Sequence, residues 1–227
     1  MSLRCLLSSS FFFPYLKTTS PREYEDMRSL FNQIFKYAIA SGVLTYNPVG
    51  LIPFKRAERE NRDSLSRKEI SSFLERIKGE KYDRVRQGAY IMYFFGLRPC
   101  EIDKNDPPKR EGDFLIARNR KRKNGKVEYK KIPISKGAEA LIDWNSPLTF
   151  GASQKVCERL IKDLLEGENT SYNLRHTFNT ICREKVREDI VEIWMGDSPQ
   201  RLIGKVYTHF SDEFMAGEMA KVEFPLE

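Results

Sequence analysis

Apolar side chains recur at three- and four-residue intervals along much of the chain, and the intervals sort into separate helices. Residues 22–42 carry Met27, Leu30, Phe31, Ile34, Phe35 and Ala38 at helical spacing, with Gly42 as the stop. The next stretch, TYNPVGLIPFKRAERENRD, holds two prolines and dense charge, so it reads as a linker. A new unit opens at Ser66, where SRKE is a capping box ahead of Ile70, Phe73, Leu74 and Ile77. A further helix spans about 83–96 and stops at Gly96. The period then changes to two. DFLIARNRKRKNGKVEYKKIPIS alternates on both sides of Asn124-Gly125, a dipeptide that favours a hairpin turn. Helical spacing returns over about 152–166, 173–186 and 188–195, and from about 211 onward. Leu174, Phe178 and Ile181 form the apolar stripe of the second of these. The pattern predicts a mainly α protein with one small antiparallel β-sheet, an α+β chain without repeats.

Composition narrows the class. Of 227 residues, 40% are hydrophobic and 12% aromatic, enough for a packed core and against a disordered polypeptide. A net charge of +7 with a pI near 9.2 favours a polyanionic partner. Cys5, Cys100, Cys157 and Cys182 lack CxxC spacing, and two histidines cannot complete a zinc site with them, so reduced thiols in a cytoplasmic protein are expected. The opening MSLRCLLSSSFFFPYL has a basic residue before an apolar run. Serines and Pro14 break that run, no small-x-small site follows, and it is too short to span a bilayer. An atypical N-terminus on a protein with no membrane partner is the expectation.

Three features carry candidate chemistry, each with a plain structural alternative. Between 118 and 131 stand Arg118, Arg120, Lys121, Arg122, Lys123, Lys126, Lys130 and Lys131 against Glu128. So cationic a ribbon suits a nucleic-acid groove, although lysines also guard exposed sheet edges. In GLRPCEI, Arg98 follows an apolar helix and a glycine. Its guanidinium cannot be deprotonated, so it needs an anion: Glu101 as a structural partner, or a phosphate. In SYNLRHTF, Arg175 lies one turn from Tyr172, either as a second anion ligand or as part of a solvated helix face. Tyr207, in GKVYTHF, is a presented hydroxyl or a half-buried anchor.

The order GLRPCEI, KNGK, LRHTF, MGDSPQ, VYTHF resembles the catalytic domain of tyrosine recombinases, the phage-integrase family. The likeness covers about residues 64–215. It implies residues 64–227 as catalytic domain, 53–63 as linker, 21–52 as the remnant of a helical core-binding domain, and 1–20 as an atypical segment. It further implies a site-specific recombinase of a prophage or mobile element that cleaves DNA through a 3′-phosphotyrosyl link. Tyr207 would be the nucleophile, Arg98 and Arg175 the clamp on the non-bridging oxygens, and Lys123 the general acid for the leaving 5′-oxygen. Lys121, Arg122 and Lys126 are stand-ins for Lys123, and no metal, ATP or other cofactor is needed. The family's partners would be double-stranded attachment-type DNA and copies of the chain, four in the synaptic complex, with residues 211–222 as a helix donated to a neighbour. Two positions depart from the family: Tyr172 and Asp197 stand where histidine, or histidine and tryptophan, are usual. A carboxylate beside a phosphate is repelled, so weakened activity is expected. His176 and His209 take secondary, structural roles. The competing expectations are a non-catalytic DNA-binding remnant and, further off, a type IB topoisomerase.

Overall fold

A computed structural model describes residues 20–51, 63–121, 127–197 and 210–226. They form two units that divide at Asn61–Arg62. In the first, helix α1 (Pro21–Ala40) starts at a capping box: the Glu23 amide donates to the Ser20 hydroxyl and the Ser20 amide to the Glu23 carboxylate. Pro21 fits the first turn because its missing N–H has no partner there in any helix. A 3₁₀ turn, Pro48–Leu51, follows, tied back by Asn47 Nδ2 donating to Asn32 Oδ1 at 2.6 Å. Leu30 and Ile34 of the apolar stripe stay exposed, as does Tyr37.

The second unit is built around α3 (Asp83–Phe95), whose residues from Ala89 to Phe95 are all buried. Around it stand α2 (Arg67–Arg76), α4 (Lys136–Leu141), α5 (Gln154–Leu165), α6 (Ser171–Arg183), α7 (Glu188–Met195) and α8 (Asp212–Met219). The expected Ser66 box is present at the start of α2, with Glu69 as its second half. Helix α3 stops at Gly96, which is left-handed (φ 60°), and a Cβ there would meet Phe178 of α6 at 2.5 Å. That close approach lets α6 lie along α3, with Leu174 and Phe178 fully buried between them.

The sheet has three antiparallel strands in the order β1 (Lys109–Glu111), β2 (Phe114–Arg118), β3 (Tyr129–Pro133). Arg118 pairs with Tyr129 and Leu115 with Ile132. The expected β2–β3 hairpin is therefore present, although its turn, residues 122–126, lies outside the described residues. Strand β1 and helix α4 were not expected. All three β1 residues are exposed, so β1 has no apolar alternation to betray it. Helix α4 is too short to show a period, and rests on the Ser135 cap, which accepts from the Ala138 amide.

The final helix and the residues after it close the core of this unit. Residues 212–226 seat on their own chain: Met215, Met219, Val222 and Phe224 are buried. Phe224 packs on Tyr93, Phe94 and Phe178 with centroids 5.6, 5.3 and 6.0 Å apart, and the Tyr93 hydroxyl donates to the Pro225 carbonyl at 3.0 Å. In the single chain the apolar face of α8 is covered by its own core. Among the described residues no helix is long and apolar enough to cross a membrane.

Candidate functional site

The SYNLRHTF segment shows how local sequence aims a side chain. Asn173 caps α6, accepting from the Thr170 amide at 2.7 Å and donating to the Asp63 carbonyl at 3.1 Å. One turn on, the Thr177 hydroxyl accepts from the Leu65 amide and donates to the Asn173 carbonyl. Both polar residues are occupied in fixing the helix. Arg175, on the same helix, instead reaches the end of α3 and the end of α7: it donates to the Gly96 carbonyl, to the Met195 carbonyl at 3.1 Å, and to Asp197 Oδ2 at 3.3 Å. Its side chain is 7% exposed. Burial and the nearby Arg98 lower its pKa to about 10, against support from Glu101, Asp197 and Tyr172, which leaves it charged at neutral pH.

Arg98 arrives from a separate element, the turn after α3. Its amide and Nη1 bind the two oxygens of Glu101 at 2.8 and 3.1 Å, while Nη2 donates to Asp197 Oδ1 at 3.0 Å. Both readings of this arginine meet here: Glu101 holds one edge of the fork, and the other edge faces Arg175 across Asp197. Lys121, at the end of the β2 side of the hairpin, donates to the same Oδ1 at 2.5 Å. Three cations from three elements thus converge on one carboxylate. Burial works against the charge of Asp197, but Lys121, Arg175 and Arg98 outweigh it and hold the carboxyl below its ordinary pKa.

The backbone under Asp197 is firmly held. Gly196 is left-handed (φ 69°) with its amide on the Ile193 carbonyl, the Asp197 amide binds the Glu192 carbonyl at 2.9 Å, and Asn119 Nδ2 donates to the Gly196 carbonyl at 3.0 Å. A Cβ at Gly196 would meet Lys130 at 2.5 Å, so close approach of the sheet requires glycine there.

Lys130 requires a correction. Grouped with the DNA-facing cations in the sequence, it is buried, and its ammonium donates to the fully buried Glu101 at 2.6 Å. The two-residue period accounts for it: on β3, Lys130 shares the inward face with Ile132 while Tyr129 and Lys131 point out. Burial lowers its pKa to about 8 in spite of Glu101, with Arg175 and Arg98 adding to the lowering. The other described hairpin cations are also matched to carboxylates: Arg118 to Asp106 at 3.5 Å, Arg120 to Asp103 at 2.6 Å, and Lys131 to Asp212. These pairs lie near the surface, where each is worth about 0–1 kcal/mol and exchanges readily with another anion.

Tyr172 lies on α6, exposed, close enough to Arg175 to favour its charge. His176 is half-buried on the same helix. Lys123, Arg122, Lys126, Tyr207 and His209 lie outside the described residues. Asn119, which fixes the hairpin base to the Asp197 turn, was missed, and an asparagine at a strand end carries no signal that distinguishes it from a turn former. No group of three His, Cys, Asp or Glu among the described residues could hold a metal ion.

Comparison with known proteins adds likeness of two kinds. No family model matches the chain. A tyrosine recombinase of Thermosipho africanus is 27% identical, over 86% of this chain and 74% of that protein. In fold, the chain is similar to a lambda integrase dimer bound to a COC′ core site (TM-score 0.63, 15% identity, 90% of this chain and 81% of that one). It is likewise similar to the Tn1549 transposon integrase in complex with circular intermediate DNA (TM-score 0.59, 19% identity, 90% and 80%). The integrase of mycobacterium phage Brujita gives a TM-score of 0.55 at 15% identity, over 91% and 74%.

Proposed function

We propose, from the premise that the chain resembles tyrosine recombinases in sequence and has their catalytic fold, that it cleaves and rejoins double-stranded DNA at a defined attachment-type site. The observation that carries this reading is the convergence of Arg98 and Arg175 on one carboxylate, a ready position for an anion with two oxygens. A phosphodiester there would present its non-bridging oxygens to both guanidinium groups, which bind most strongly as charge builds in the pentacoordinate transition state. Tyr207 attacks phosphorus and gives its hydroxyl proton to solvent; its O–P bond forms as the bond to the 5′-oxygen breaks, and a lysine of the hairpin supplies a proton to that oxygen. The bond energy stays in the phosphotyrosine, so the free 5′-hydroxyl reverses the step without ATP.

Lys121 is the solvent-accessible lysine among the described residues of the cluster, and it joins Lys123 as a general acid of this scheme. The lambda integrase neighbour solved as a tetramer on a Holliday junction supports action by four copies on DNA. The division into catalytic domain (64–227), linker (53–63) and helical core-binding piece (21–52) belongs to the same proposal.

A nicked suicide duplex carrying an attachment-like site tests it. The chain should form a covalent protein–DNA band that Tyr207→Phe abolishes and Arg175→Gln reduces by about 10²–10³. Lys121→Ala and Lys123→Ala, compared on a duplex with a 5′-thiol leaving group that needs no proton, identify the general acid: its loss is rescued there and the other's is not. Asp197 favours a second reading, a DNA-binding protein without cleavage, because its carboxylate stands where the phosphate should. Retained binding with no adduct on any such duplex selects that reading.

A further inference from the structure

Asp197 is better placed than a misfit residue would be. Its two oxygens are shared among Arg98, Arg175 and Lys121, at 3.0, 3.3 and 2.5 Å. A carboxylate and the non-bridging face of a phosphodiester offer the same pair of acceptors and the same single charge. With 31% of the side chain exposed, the position is open to solvent. Around it, four cations (Arg98, Arg175, Lys121, Lys130) face two carboxylates (Glu101, Asp197), so the cluster without Asp197 has an even larger positive excess. Glu101 cannot leave, being fully buried between Arg98 and Lys130. Asp197 can. Its backbone is pinned by the Glu192 and Asn119 contacts, but rotation of the side chain toward solvent breaks only the three bonds to the cations.

We infer that Asp197 is a resident ligand of the anion site: its carboxylate fills the position a phosphate must take, and so sets how strongly the site accepts one. The inference rests on reading Arg98 and Arg175 as a phosphate clamp. Asp197 is then a competitor tethered at high effective concentration, and entry of phosphate is an exchange of one anion for another. A strand that makes many other contacts can drive that exchange. An isolated phosphate cannot, so the site discriminates against free anions and against DNA that is held only loosely. One of the two residues that depart from the family pattern becomes the one that sets the threshold for engagement.

Titration of the full chain with inorganic phosphate at low ionic strength tests this, with Asp197→Asn and Asp197→Ser beside the parent. Both variants are expected to bind phosphate at least tenfold more tightly, and Arg175→Gln added to Asp197→Asn should remove the gain. Parent-like or weaker binding in both variants overturns the inference, as does a gain that survives the loss of Arg175. If circular dichroism shows both variants unfolded, Asp197 is a structural pin that cannot swing out, and the inference fails equally. The suicide-duplex assay on the same proteins separates this from the reaction. A phosphate gain without any adduct sinks the recombinase reading and leaves Asp197 as a competitor, whereas an adduct in the parent without a phosphate gain does the opposite.

Discussion

Lys130 and Glu101 bind each other at the base of the site with almost no access to water. Each is retained because the other is present: removing one leaves an uncompensated buried charge. Glu101→Ala should therefore cost on the order of 3–5 kcal/mol in urea unfolding, far more than loss of any of the exposed hairpin pairs. The pH dependence has a definite sign. Burial lowers the Lys130 pKa from 10.5 to about 8 in the folded chain. Between those values the unfolded chain keeps the proton that the folded chain has released, so the unfolded chain binds more protons and this lysine's contribution to stability rises with pH. Below about pH 8 both states are protonated and the contribution is flat. The stability of the parent relative to Lys130→Met, measured from pH 7 to 10, should climb above pH 8; a flat difference would show that Lys130 keeps its charge. Which hairpin cation goes inside was legible from alternation, since Lys130 is two residues from Ile132. The sequence reading instead grouped the cations by charge.

Among the elements, the helices and their caps were read closely because the forces that form them are local. Ser66 and Glu69, or Gly96 at the end of α3, act within one turn of their own position. Strand β1 was not legible, because Lys109–Glu111 becomes a strand only by pairing with β2. Gly96 links the two levels. Gly96→Ala should cost about 1–2 kcal/mol for the left-handed backbone and about 1–3 kcal/mol more for overlap with Phe178 and Met195. Because the Gly96 carbonyl also receives Arg175, the same variant should weaken phosphate binding as well as lower the urea midpoint. A midpoint unchanged within error would mean that α3 and α6 can separate there without loss.

Across the second unit, the C-terminal segment closes the core. Phe224 completes an aromatic cluster with Tyr93, Phe94 and Phe178, whose members span four-fifths of that unit's length in sequence. Phe224→Ala should destabilise the isolated chain by roughly 3–5 kcal/mol, read as a fall in the urea midpoint. Little change would indicate that residues 212–226 detach readily and are free to seat on another copy.

Period, caps and turn residues in the sequence were sufficient for the order of helices and the β2–β3 hairpin, because each is encoded within a few positions. The motif order carried the family likeness for the same reason. The meaning of Asp197 was not encoded locally. A lone aspartate after Gly196 reads as an obstacle to phosphate, and its contact with Arg98, Arg175 and Lys121 exists only because the ends of α3 and α7, the first turns of α6 and the hairpin meet at one point. Burial, too, is a property of that assembly: it turned Lys130 from one cation among many into the partner of Glu101. Charges close in sequence have fixed spacing, but which of them share an anion is set by packing between elements far apart along the chain.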